Sequence, residues 1–112
     1  MKDADAFRIV LVTAGSEEEA ANIAKALVEE RLAACANIVP KIRSVYRWEG
    51  KVQDEAEALL IIKTAEAALP ALEDRVRALH SYDVPEVISV KLDQGSGPYL
   101  DWLAESCGLS SE

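Results

Sequence analysis

Residues 34–64 read ACANIVPKIRSVYRWEGKVQDEAEALLIIKT, and the fold turns on them. Ala34, Ala36, Ile38 and Ile42 alternate with their neighbours, and Ser44, Tyr46 and Trp48 continue in the same phase, the two-residue period of a β-strand. Pro40 interrupts that run, and a proline within a strand marks an edge, a bulge or a bend. Glu49-Gly50 predicts a tight hairpin turn, because glycine tolerates the positive φ such a turn needs. The return strand, Lys51 to Thr64, begins polar at Gln53, Asp54, Glu55 and Glu57 and ends apolar at Leu59, Leu60, Ile61 and Ile62. At about 3.3 Å per residue, each arm of the hairpin reaches about 40–50 Å. A domain of this size cannot cover such an arm with its own helices, and a two-stranded ribbon is only marginally stable alone. The outer half, with Tyr46 and Trp48, is therefore expected to bury itself on a second copy of the chain, the two aromatics serving as interface anchors.

The flanking sequence supplies the remaining elements. Ile9 to Thr13 is a short β-branched run that ends at Ala14-Gly15, which predicts a buried strand. Ser16 and Glu19 fit a capping box, and Glu17, Glu18 and Glu19 suit the positive end of a helix dipole. Ala20, Ile23, Ala24, Leu27 and Val28 form one helical face, ending near Arg31. A second helix lies within Ala65 to His80, with Leu69, Leu72, Val76 and Leu79 as its apolar stripe. Pro70 must fall in its first turn, so that helix starts late. Val87 to Leu92 predicts a fourth strand. Gly95-Ser96-Gly97-Pro98 is a turn, and Tyr99, Leu100, Trp102 and Leu103 give a final helix its packing face, with Trp102 also available to a neighbouring copy. The tail from Ser110 is expected to fray. The order is strand, helix, strand, strand, helix, strand, helix. It predicts an α+β, ferredoxin-like βαββαβ fold with an antiparallel sheet, two helices on one face, a long β-hairpin and an extra C-terminal helix.

Composition narrows the function. The chain has 112 residues, consistent with one domain whose core spans about residues 8–109. A net charge of −8 with scattered cations argues against nucleic acid as the main partner. No apolar run approaches the roughly 20 residues that span a bilayer, and Ile9–Val12 is too short for the core of a signal peptide. The chain is thus expected in the cytoplasm, away from membranes. Cys35 and Cys107 form neither a CxxC pair nor a zinc-finger spacing. There is no Ser-His-Asp set, and Gly95-Ser96-Gly97 lacks the Lys-Ser/Thr of a phosphate loop, so no enzyme is expected.

Single residues remain as candidates. Cys35 is either a small buried hydrophobe or a thiolate ligand for a soft metal. His80 ends the second helix, where it is either a hydrogen-bonded cap or a metal ligand. Lys63, at the end of an apolar run, needs a partner, and Glu86 offers one. Asn37, Lys63, Tyr82 and Glu86 are the candidates for the polar lining of a cleft between copies.

The phrases LVTAGSEEEAANIAKALVEERLAACANI, SVYRWEGKVQDEAEALLIIKT, LHSYDVPEV and GPYLDWL, in this order and spacing, resemble the CutA family of divalent-cation tolerance proteins. The resemblance runs from about Arg8 to Leu109. It implies a trimer held together by long hairpins, with an architecture similar to the PII signalling proteins, which bind small ligands between subunits. It implies a role in tolerance of copper or other divalent metal ions; a small-ligand signalling trimer and a passive interaction scaffold are the alternatives. The chain departs from some bacterial relatives in the copper ligands offered for them. Val12 stands where those have a cysteine, Leu79 replaces the first of two histidines, and Ser81 replaces a proline. Of that ligand set only His80 remains.

Overall fold

The computed structural model describes residues 1–108, and the expectation for the tail from Ser110, like the last residue of the expected core, lies outside the described residues. The elements are β1 (Lys2–Asp3), β2 (Phe7–Ala14), α1 (Glu17–Glu29), β3 (Cys35–Trp48), β4 (Lys51–Ala65), α2 (Leu69–Leu79), β5 (Val87–Lys91), β6 (Gln94–Gly95) and α3 (Gly97–Ser106). A short 3₁₀ turn, Glu66–Ala68, precedes α2, so Pro70 falls in that helix's first turn as its missing N–H requires. The fold is α+β, with an antiparallel four-stranded sheet in the order β3-β4-β2-β5.

The even-numbered residues of β2 and β4 face the helices. Val10, Val12, Ala14, Ala58, Leu60 and Ile62 are buried beneath Ile23 and Leu27 of α1 and Leu72 and Val76 of α2. The odd-numbered residues point the other way. Leu11 pairs with Ile61 and Ile88, and Ile9 with Lys63 and Val90, on a face that no helix of the core covers. Ile88 and Val90 are 53% and 52% exposed there.

The hairpin has the predicted length. Its 14- and 15-residue strands give the molecule a long axis of 50 Å against 25 and 22 Å across. Glu49 and Gly50 form the turn with φ of 50° and 77°, the positive values that a two-residue hairpin loop demands.

Two expectations are corrected. Tyr46 and Trp48 do not share the phase of Ala36 and Ile38. Val39 pairs with Leu59 but Ile42 with Glu57, so Pro40 and Lys41 insert one extra residue in β3. This bulge inverts the alternation. Ala36 and Ile38 pack on the helical core, whereas Ile42, Ser44, Tyr46 and Trp48 lie on the uncovered face. On α3, Leu100 and Leu103 are buried, but Tyr99 and Trp102 are each 44% exposed and turn away from the chain's own core as a pair with ring centroids 5.4 Å apart. One pairing was not foreseen: β1 and β6 form a two-residue antiparallel bridge that holds the N-terminal segment against the start of α3.

Candidate functional site

Beyond the bulge, β3 and β4 leave the sheet as a ribbon, and the loop of residues 80–86 closes against its base. A cleft of about 670 Å³ opens between them. Two contacts fix the loop. His80 is the C-cap of α2, its backbone N–H bonding Val76 O at 2.9 Å. Its side chain is fully buried, with Nε2 2.7 Å from Thr13 O and Nδ1 accepting from Tyr82 N at 3.1 Å. Because Nδ1 accepts, Nε2 carries the proton and donates it to the Thr13 carbonyl. Glu19 supplies the second contact. Ser16 Oγ accepts from Glu19 N at 3.1 Å, the expected cap, but the Glu19 carboxylate does not close the box on Ser16. It accepts from Gly15 N at 3.2 Å and reaches across to Ser81 N at 2.7 Å and Ser81 Oγ at 3.1 Å.

Burial pushes the Glu19 carboxyl up, yet the bonds from Ser81 and Gly15, with His80 nearby, prevail and hold it below the usual range. A carboxyl depressed on folding contributes stability above its unfolded value and loses it as pH falls through the folded one. Glu19→Ala is expected to cost about 1.5 kcal/mol at neutral pH through the lost bonds. The gap between variant and parent is expected to narrow as pH falls below the ordinary Glu value of about 4.3. Urea unfolding across pH checks this; a gap that does not change with pH contradicts the role given to the carboxylate.

The loop places Tyr82 over the ribbon. Its ring packs on His80 at 4.6 Å, and its hydroxyl donates to Glu57 Oε2 at 2.9 Å. Burial, then the bond to Glu57 and its charge, push the Tyr82 hydroxyl well above the ordinary tyrosine range. Glu57 itself is only 8% exposed. Glu55, Asp83 and Glu86 add three more carboxyl groups to the lining, and Tyr46 and Trp48 add rings; neither lysine nor arginine lines it. Burial, followed by Glu55 and Glu57, also raises Tyr46.

The expected site residues fall into two groups. Tyr82 and Glu86 meet at this cleft together with Tyr46 and Trp48, which are 38% and 51% exposed. Asn37, Lys63 and Cys35 sit at the other end of the sheet. Lys63 of β4 is the register partner of Cys35 on β3 and donates to Asn37 Oδ1, while Cys35 Sγ lies 3.9 Å from the same oxygen. Lys63 therefore finds its partner in Asn37, and the expected Lys63–Glu86 pair does not form within the chain. Lys63 is aligned with Ile9 on β2, whereas His80 is bonded to Thr13, four residues or about 13 Å farther along that strand. Cys35 and His80 are thus not brought together, and no three metal-ligating side chains gather among the described residues. Both nitrogens of His80 are already bonded, so these residues of one chain do not fit a copper ion. Cys107, half-buried, lies 3.9 Å from the buried Thr64 hydroxyl. Sequence reasoning missed Glu57, which it placed among the polar residues of the outer strand, and the reach of Glu19 to Ser81.

The family described as CutA1 divalent ion tolerance protein matches residues 8–106. The chain belongs to that family. The divalent-cation tolerance protein CutA of Thermus thermophilus is 55% identical over 100 residues, covering 89% of this chain and 97% of the relative. A solved structure of the divalent cation tolerance protein from that organism has a TM-score of 0.87 and 54% identity, covering 89% of this chain and 97% of the other. The CutA protein of Arabidopsis thaliana, described as chloroplastic, is 52% identical over 98 residues, covering 88% of this chain but 54% of the relative. This chain therefore spans almost all of one CutA relative and about half the length of the other. The structure of CutA from Archaeoglobus fulgidus, described as periplasmic, has a TM-score of 0.88 at 39% identity, covering 90% of this chain and 98% of the other. Relatives in the family are thus assigned to different compartments, and no described helix here is long and apolar enough to cross a membrane.

Proposed function

We propose that this chain works as one domain, assembles as a homotrimer, and contributes to tolerance of copper or other divalent cations in the cytoplasm without an enzymatic step. The observation that carries this reading is the uncovered apolar face of the sheet, where Ile88 and Val90 are 53% and 52% exposed, continuous with the ribbon face on which Tyr46 and Trp48 are 38% and 51% exposed. Contiguous apolar surface of this kind marks an interaction site. Assembly also explains why the cleft residues are split. Asn37 and Lys63 of one copy and Tyr82 and Glu86 of another become neighbours when the ribbon of one chain lies along the sheet of the next.

Copper held by Cys35 and His80 is proposed only as a site shared between copies, with His80 releasing one of its two hydrogen bonds. Titration of the metal-free protein with Cu(I) and Cu(II) against a competing chelator tests it. The expected result is a fixed number of ions per trimer, lost in both Cys35→Ala and His80→Ala. Binding that survives in either variant removes that residue from the site.

A second reading, a small-ligand or signalling trimer of the PII type, is favoured by the size of the cleft, which falls within the roughly 300–1,000 Å³ of ligand pockets. A ligand held there stabilises the folded assembly by mass action, so a thermal-shift screen of nucleotides and metabolites reads it directly.

A further inference from the structure

We propose that the cleft between the ribbon and the 80–86 loop binds an organic cation, a guanidinium or alkylammonium group, between the Glu57 carboxylate and the rings of Tyr46 and Trp48. The inference rests on reading this cleft as the ligand site and names the chemistry of what enters it. Glu57 is the anchor. It is 8% exposed, and its one hydrogen-bond partner among the described residues is the neutral Tyr82 hydroxyl. A carboxylate removed from water needs a positive charge beside it, because a hydroxyl alone does not offset its lost hydration. Some other carboxylates of this chain do have cations beside them: Arg43 binds Asp54 through both oxygens at 2.8 and 2.7 Å, and Arg75 lies 3.0 Å from Glu30. The cleft has none, holding further carboxyl groups on Glu55, Asp83 and Glu86 and no basic side chain.

A bare metal ion is the wrong occupant. Hard cations gather six or more oxygens in one shell, and no three acidic, histidine or cysteine side chains come close enough among the described residues. The carboxyl groups are spread around about 670 Å³, space for a polyatomic ligand. The exposed ring faces fit the same answer. A cation within about 6 Å of an aromatic centroid is attracted by its quadrupole, and Trp is the strongest host. The cation can belong to a free molecule or to a basic side chain of another copy; both present the same group to Glu57.

The test uses the full chain with Trp102→Phe, so that Trp48 is the only fluorophore of its kind. Arginine amide and tetramethylammonium are titrated in, with glutarate and sodium chloride as controls at matched ionic strength, and molecular mass is measured on the same samples. The expected result is a saturable change in Trp48 emission with the organic cations alone, and at least tenfold weaker binding in Glu57→Gln. If the cation comes from another copy, the parent does not titrate and Glu57→Gln loses assembled mass instead. Glu55→Gln repeats both readings should the first variant fail to fold. The proposal is overturned if neither change occurs, if glutarate acts equally, or if binding persists unchanged in the variants. A trimer that is indifferent to cations and keeps its mass in Glu57→Gln overturns this inference alone, and a monomer that binds them overturns the assembly alone.

Discussion

Ile62→Ala is expected to lower unfolding free energy by about 3 kcal/mol, the usual cost of removing a large aliphatic side chain from a packed core. Ile62 is fully buried, and it sits on β4 opposite Val10 and Ala36 and beneath the helices. The cavity opens where sheet and helices are pressed together, so neighbours have little freedom to fill it. Under the proposed assembly, mass action adds to apparent stability, so parent and variant must be compared at one protein concentration. Denaturant unfolding followed by circular dichroism gives the difference. A loss below about 1 kcal/mol would mean that the helical face is not the main core.

Ile61→Asp, one residue away, is expected to do something different: the chain stays folded and no longer assembles. Ile61 pairs with Leu11 and Asn37 on the opposite, uncovered face, and it is half-buried in the single chain. A carboxylate there remains hydrated in the monomer. In an interface it must be desolvated without a partner, which costs several kcal/mol per copy. A native circular dichroism spectrum with the mass of one chain is the expected outcome. Retained assembly would show that the face is not used. The contrast between two adjacent isoleucines follows from the two-residue period of the strand.

That period made most of the fold legible before any coordinates. The hairpin, its turn at Glu49-Gly50, the late start of α2 at Pro70 and the cap at Ser16 each had a local physical cause written in the residues. Pro40 announced an irregularity, but sequence could not say whether it was an edge, a bulge or a bend. The difference matters, because only a bulge moves Tyr46 and Trp48 to the other face. The cleft was harder to foresee for the same reason. Glu57 sits in a polar stretch that periodicity assigns to solvent, and its burial comes from a loop 25 residues farther along the chain, through the Tyr82 hydroxyl. His80 was expected as a helix cap and is one, yet its burial against Thr13 O is a tertiary contact that no local pattern encodes. On α3, Tyr99 and Trp102 share an apolar stripe with Leu100 and Leu103, and hydrophobicity alone cannot tell which side meets the chain's own core.

Glu19 illustrates a residue whose local role was read and whose distant one was not. Three acidic residues at a helix start are explained by the dipole, and nothing marks the third as the one that holds Ser81. Its bonds join α1 to the loop that carries Tyr82. The helix start, the loop and the buried Glu57 are thereby coupled through four residues: Glu19, Ser81, Tyr82 and Glu57.

Assembly is the claim on which the uncovered sheet face, the split cleft residues and the exposed ribbon all depend. Sedimentation equilibrium of the unmodified protein at micromolar concentration tests it most directly. Three times the chain mass, unchanged on further dilution to the detection limit, is the predicted result. The mass of a single chain under those conditions would contradict the account and leave the apolar face of the sheet without an explanation.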